Sequence, residues 1–174
     1  MAVTGYDDGW QGRLYDQLRE VNVSIFGYVP DAGHRVLIDR SIADNDVHSV
    51  PLTTEEEGVG LIAGAHLGGA RAVLLMQSSG VGNCINQLSL IQHGRFPFLT
   101  YVSMRGDFGE GNPWQFAMGQ AVEPTMTAMG VQCITVTTPE EVERGTTAAL
   151  TMAFQSEQSV AVLLSQRLLG AKAF

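Results

Sequence analysis

Apolar residues recur along the chain in two alternating rhythms. Over residues 10–22, WQGRLYDQLREVN, the side chains of Trp10, Leu14, Leu18 and Val21 fall three or four apart, the spacing of one helix face. Residues 23–30, VSIFGYVP, then form a short run rich in β-branched and aromatic residues that Pro30 closes, a buried strand. The alternation continues to the end. DAGHRVLIDRSIAD reads as a loop and a short helix. Further strands are expected over 47–53, 70–77, 96–104, 131–137 and 159–166. Helices are expected over 54–69, over CINQLSLIQHG, over 115–129 and over 139–155, the last opened by Pro139 with Glu140, Glu141 and Glu143 in its first turns. SSGVGN reads as a glycine turn and RGDFGEGNP as a loop.

The strands are continuous apolar runs rather than alternating ones, which predicts cover on both faces. Strand and helix in strict alternation predict an α/β fold: one domain over 1–174, a three-layer α/β/α open sheet of about six parallel strands. Ligands of such sheets bind beyond the carboxyl ends of the strands. The loops expected there are YVPDAGH, LTTEEEG, MQSSGVGN, SMRGDFGEGN and TTPEE, and they hold nearly every polar cluster in the chain.

Composition narrows the function classes. The 174 residues are 45% hydrophobic and 16% charged, a low charge content that fits a surface partly covered by other subunits. The formal net charge is −8 and no Lys/Arg run occurs, so a phosphate backbone would be repelled and nucleic acid is not an expected partner. No segment reaches the roughly 18 uninterrupted apolar residues of a membrane span. The opening MAVTGYDDGWQG lacks a basic-then-apolar signal pattern. The two cysteines, Cys84 and Cys133, have no metal-ligand spacing, and a cytoplasmic location is expected.

The candidate chemistry begins at TTEEEGVG. Thr53-x-x-Glu56 and Thr54-x-x-Glu57 both fit a capping box, and acids suit a first turn. Gly60, Gly64 and Gly68 follow at i, i+4, i+8, each costing up to about 1 kcal/mol against alanine, so the helix is expected to lie close against another backbone. SSGVGN carries G-x-G between strand and helix, where a phosphate could sit on free N–H groups, but not the full G-x-G-x-x-G. Asp107, Glu110 and Asn112 match no defined metal loop. Arg105, directly after the fourth strand, is placed to grip an anion. His34 lies in a ligand-end loop, His93 reads as structural, and Cys84 reads as a buried small side chain at a helix start.

In order and spacing, E-E-G-V-G-L-I-A-G-A-H-L-G-G, MQSSGVGN, SMRGDFGEGNPWQ, VPD at 29–31 and VAVLLSQRLL together resemble the pyrimidine-binding domain of thiamine diphosphate enzymes. The match is best to the sulfopyruvate and phosphonopyruvate decarboxylase branch and covers about residues 10–170. The resemblance implies a flavodoxin-like, thiamine diphosphate-binding fold and a decarboxylase of 2-oxo acids that releases carbon dioxide and an aldehyde. It places on Glu56 the carboxylate that hydrogen-bonds the cofactor's aminopyrimidine, and leaves Glu55 and Glu57 as capping and surface charges. It implies that Gln77, Ser79, Gly80, Gly82 and Asn83 line the cofactor, that Asp31 and His34 handle protons, and that Arg105 and Pro30 face the substrate. The G-D-G that marks the family's diphosphate and metal half is absent; residues 106–109 read GDFG. Mg2+ and the diphosphate are therefore expected on a separate β subunit, in an α2β2 or larger assembly. Two rivals stand beside this: a flavodoxin-type nucleotide or flavin module using SSGVGN for phosphate, and a non-catalytic regulatory subunit.

Overall fold

The computed structural model describes residues 9–171. Most of the opening stretch read for a signal pattern, residues 1–8, lies outside them. In chain order the elements are α1 (Gly9–Glu20), β1 (Val23–Tyr28), a 3-10 turn (Ala32–His34) running into α2 (Arg35–Ala43), β2 (His48–Pro51), α3 (Glu55–Leu67) and β3 (Arg71–Gln77). Then come α4 (Ser78–Cys84), α5 (Leu88–Gly94), β4 (Phe98–Ser103), α6 (Trp114–Ala128), β5 (Gln132–Val136), α7 (Pro139–Phe154), β6 (Ser159–Leu164) and α8 (Gln166–Leu169).

The six strands form one parallel sheet in the order β2-β1-β3-β4-β6-β5. Helices α1, α2 and α7 cover one face, and α3, α4, α5 and α6 the other. Two cores result. One joins Leu14, Leu18, Phe26, Val73, Leu99, Tyr101 and Val162. The other joins Val59, Ile62, Leu74, Met76, Val102, Val122 and Leu163. Every residue of β4 and β6 is buried, as a centre strand covered on both faces requires. The edge strands β2 and β5 are only partly covered, so the expectation of two-sided cover holds for the centre of the sheet and not for its edges. Among the described residues no helix is long and apolar enough to cross a membrane.

Two local expectations change. SSGVGN is not a turn ahead of a helix: α4 starts at Ser78, directly from β3, and the chain breaks again before α5 begins at Leu88. Neither capping box closes as spaced. Thr54 is the N-cap of α3 but accepts no side-chain cap bond, and the Glu57 carboxylate reaches back to the Thr53 N–H at 2.8 Å. At α7 the expected start is complete: Thr138 accepts from the Glu141 N–H, and the Glu141 carboxylate accepts from the Thr137 N–H at 2.7 Å.

The glycines fall into two groups. Gly119 lets α6 run against the β4 exit, since a Cβ there would stand 2.0 Å from the Arg105 carbonyl oxygen. Gly60 and Gly64 face open space with no other described residue near the side chain they lack, so the stripe expected to pack has no partner among the described residues. Opposite outcomes are expected on substitution, measured by urea denaturation. Gly119→Ala should cost about 1–3 kcal/mol, because two backbones must separate. Gly64→Ala should instead stabilise the chain by up to about 1 kcal/mol.

Candidate active site

The carboxyl ends of β1, β3, β4 and β6 meet on one rim. Gln77 and Ser103, the last residues of β3 and β4, are register partners, and Ser103 pairs in turn with Leu164 of β6. Asp31, just beyond β1, bonds to both neighbouring strand ends. Its Oδ2 accepts from the Ser103 hydroxyl at 2.6 Å and from the Gly33 N–H at 3.0 Å, and its Oδ1 accepts from the Gln77 amide at 3.3 Å. Gln77 also accepts from the exposed Ser79 hydroxyl at 2.9 Å. Pro30 is exposed on the same rim.

His34 is placed differently from the expectation of a proton shuttle. It is fully buried, with Nε2 3.1 Å from the Met76 carbonyl and no hydrogen-bond partner at Nδ1. Burial pushes its pKa below the ordinary imidazole value, and the Asp31 charge and nearby backbone carbonyls offset this only in part. His34 supports the loop from beneath and does not reach the rim. His93 is exposed in the last turn of α5.

Arg105 is a second correction. Its guanidinium is forked onto Glu110, with Nη2 to Oε1 at 2.7 Å, and the Glu110 side chain is wholly buried. Glu110 also accepts from the Asn112 N–H and from Gln166 Nε2 at 2.9 Å. Gln166 Oε1 accepts from the Asp107 and Phe108 N–H groups, while Asp107 accepts from the Ser165 hydroxyl at 2.8 Å. RGDFGEGNP is therefore fastened to the β6 exit, and Arg105 is a neutralised cation rather than a free anion grip. Glu110 stood out in the sequence only as one acid of a loop that matches no metal motif, and Gln166 only within VAVLLSQRLL; their burial and partners reveal the role each takes. Between this network and the Asp31 cluster lies a cleft of about 260 Å³ walled by Trp10, Gly33, Ser103, Arg105, Gln166 and Leu169.

The glutamates of α3 separate by helical phase. Glu55 shares a face with the buried Val59 and Ile62 and is itself buried. Asn83 donates to its Oε2 at 2.8 Å, and Gly80 gives its carboxylate room: a Cβ there would lie 2.4 Å from Glu55 Cδ. Glu55 is thus not a surface charge. Asn83 spends its amide on Glu55, and Gly80 is covered by a carboxylate, which would repel a phosphate at the start of α4. Gly82 packs near the Met118 sulfur, where a Cβ would stand 3.1 Å away. Buried at the end of α4, the Cys84 thiol is pushed up to about 12, chiefly by burial and then by the charges of Glu55 and Glu56. It is protonated and inert at neutral pH.

Glu56 projects the other way. It is exposed, and its carboxylate has no hydrogen-bond or ion-pair partner among the described residues. On α3 it is in phase with Gly60, Gly64 and Leu67, the last 75% exposed. Trp114 at the start of α6, 85% exposed, is another large exposed apolar group on this side of the sheet, with Leu90 and Phe116 exposed to a lesser degree. An unpaired carboxylate at the carboxyl end of the sheet, heading a bare helix face, can serve a ligand that arrives with another chain.

No protein-family model matches the chain. It is 34% identical over 152 residues to the sulfopyruvate decarboxylase subunit alpha of Methanococcus maripaludis, covering 87% of this chain and 91% of that one. It is 36% identical over 129 residues to the subunit of the same name from Methanocaldococcus jannaschii, covering 74% of this chain and 76% of that one. Among solved structures, a 2-oxoglutarate:ferredoxin oxidoreductase from Magnetococcus marinus superposes with a TM-score of 0.72 at 13% identity, over 89% of this chain and 28% of that one. That likeness concerns the fold alone.

The Glu110 pair has a pH signature. The Arg105 guanidinium, the Asn112 N–H and Gln166 hold the Glu110 carboxyl at about 2, against about 4.3 for an ordinary glutamate. A carboxylate depressed by folding contributes stability above its unfolded value and loses it as pH falls through its folded value. Stability of the chain is therefore expected to decline between about pH 5 and pH 2. Glu110→Gln should flatten part of that slope and, by unpairing Arg105, cost about 3 kcal/mol at neutral pH. Urea midpoints across the pH range read both effects.

Proposed function

The chain belongs to the family of sulfopyruvate decarboxylase alpha subunits, and we propose that it supplies one half of a thiamine diphosphate-dependent 2-oxo acid decarboxylase site. One observation carries the reading: of the three adjacent glutamates, the one the motif selects, Glu56, is the one exposed and unpartnered. A carboxylate meant for a cofactor brought by a second chain has to be free before assembly. Glu55, buried and bonded, and Glu57, turned back to Thr53, are both engaged.

When bound, thiamine diphosphate supplies the carbon nucleophile and the electron sink for loss of carbon dioxide. Glu56 would hold the aminopyrimidine through a hydrogen bond to a ring nitrogen and share its proton. Gln77, at the end of β3, and Ser79, in the α4 that follows, would line the cofactor as well. The Asp31 cluster fixes the neighbouring rim and offers a polar wall to the cleft, and the exposed Pro30 beside it would face the substrate. Mg2+ and the diphosphate fall to a β subunit, which docks along the Glu56–Gly60–Gly64–Leu67 face, where missing side chains let a backbone approach. The site would be shared between unlike chains, in an assembly such as α2β2 or larger. Sulfopyruvate is the leading substrate and phosphonopyruvate the next; the setting is cytoplasmic. Glu55 against Gly80 argues against a phosphate-binding flavodoxin-type module.

The test is co-expression with a chain bearing the diphosphate and metal half. The purified complex receives thiamine diphosphate and Mg2+, and carbon dioxide release is followed over a panel of 2-oxo acids. Release is expected with sulfopyruvate. No release from any substrate, with no cofactor retained, would sink the proposal. In an active complex Glu56→Gln should lower the rate roughly 10²–10⁴-fold without affecting the fold, since its carboxylate makes no hydrogen bond or ion pair among the described residues. Unchanged turnover in that variant would leave a regulatory subunit as the answer. Gly64→Leu should keep the chain folded but prevent co-purification of the partner.

A further inference from the structure

We infer that the groove between α6 and β5 is a docking surface for a basic amphipathic helix of the partner subunit, separate from the Gly60–Gly64 face; the inference rests on the proposed partnership with an unlike chain. The groove has a volume of about 580 Å³, larger than the rim cleft. Its floor is Leu163 of β6 and Thr135 of β5, and one wall is the stripe Gly119, Glu123, Pro124 and Thr127 of α6. These four positions lie at i, i+4, i+5 and i+8 and share one helix face. They span about 12 Å, roughly two turns of a facing helix.

The groove exists because one layer of the sandwich is incomplete. On one face α7 covers β5: a Cβ on Gly145 would stand 2.9 Å from Val136 Cγ1. Side chains alternate along a strand, so Cys133 and Thr135 point to the other face. There Cys133 is only partly buried and Thr135 is exposed. The path of α6 explains this. Its early turns lie at the β4 exit, where Gly119 rests on the Arg105 carbonyl, and its end runs through Val131 into the start of β5. At the rim, β6 therefore stands between α6 and β5. Helix and strand diverge, and the outer half of β5 lacks the helical cover that an α/β/α sheet requires.

Charge identifies what fills the gap. Glu123 is exposed and makes no hydrogen bond or ion pair among the described residues. Asp107, also lining the groove, accepts from the Ser165 hydroxyl and the Gln166 N–H and meets no cation. No Lys, Arg or His lines the groove. Pro124, inside α6, has no N–H to give the Gln120 carbonyl, and Gln120 lines the groove as well. Acceptors thus surround an apolar floor, and their complement is a helix with Lys or Arg beside its apolar stripe. A second copy of this chain does not supply one. Neither α6 nor β5 contains Lys or Arg, and a chain of net charge −8 would bring like charges together. The groove lies over β5 and β6, whereas α3 packs on β3 and β1. Two molecules of an unlike chain can therefore be held at once, one completing the site and one linking neighbouring pairs.

The test uses the co-expressed complex. A photoreactive benzoylphenylalanine is placed at Thr127, exposed in the groove, and the complex is irradiated. A cross-link to the unlike chain is expected, on a segment that carries Lys or Arg. A cross-link to a second copy, a link within the chain, or none at all overturns the inference. Glu123→Arg is the second variant. It should leave the circular dichroism of the chain unchanged and the turnover per site within about twofold, yet lower the mass of the complex by light scattering to roughly half, since a cation there repels the basic helix. A complex of wild-type mass overturns the inference. So does complete loss of the unlike chain, which would put the groove in the site-forming contact. Should the Thr127 variant not express, Glu123→Arg decides. A complex that cross-links as expected but releases no carbon dioxide would overturn the proposed chemistry and leave the groove's role standing. One that releases carbon dioxide without the cross-link does the reverse.

Discussion

The Asp31 carboxylate takes hydrogen bonds from its own loop, from the end of β3 and from the end of β4. That junction ties three of the chain segments that meet at the rim into one unit. Parallel pairing puts Gln77 and Ser103 side by side at the strand ends, so one carboxylate beyond β1 can bond to both. A charged acceptor makes each such bond worth roughly 1.5–3 kcal/mol, more than a neutral pair. The loop so fixed buries His34 beneath it and forms one wall of the cleft. The opposite wall, Arg105 with Glu110 and Gln166, is anchored to β6 by the same device of buried acceptors collecting donors from separate segments. Loops rich in glycine are thereby made rigid without secondary structure of their own.

Strand runs and helix spacing were enough to read the layers, because continuous apolar segments in a parallel sheet have few other places to go. The site was legible in outline and misread in detail, for a consistent physical reason. Residue type tells what a side chain can bond to, and packing decides what it does bond to. Arg105 stood alone after a strand in the sequence, yet Glu110, five residues later, neutralises it. Gly80 and Asn83 had the look of a phosphate loop, yet the group they meet is a glutamate from another helix. His34 sat in a ligand-end loop, yet the 3-10 turn points it inward. Glu55 alone could have been found from the pattern, since it keeps step with Val59 and Ile62 at i+4 and i+7, whereas Glu56 keeps step with the glycines.

That difference in phase is the informative part of three consecutive acids. Positions 55 and 56 differ by one helical step, which is enough to send one carboxylate into the protein and the other out of it. The inward one costs desolvation, and the positive end of the helix dipole with the Asn83 amide offsets that cost. The outward one stands above Gly60 and Gly64, two residues that weaken a helix and face open space among the described residues. A destabilised, bare helix face headed by an unpaired charge is poorly explained by the stability of one subunit. It is well explained by a surface that a second backbone completes.

Charge carries the same logic to the substrate. The rim holds Asp31, Glu55, Glu56, Glu57, Asp107 and Glu110. Of its nearby cations, Arg105 is neutralised by Glu110, Arg35 is an exposed side chain paired at the surface with Asp39, and Arg167 lies over the Phe108 ring. A 2-oxo acid bearing a second anionic group would enter this half-site against the prevailing field, and the one cation lining the cleft, Arg105, is already paired with Glu110. On the proposed function, the cation that distinguishes a sulfonate or phosphonate from a plain carboxylate therefore belongs to the other chain. The alpha subunit's share is then geometric: it holds Glu56 and the rim of the cleft in place, and leaves selection among anions to the partner.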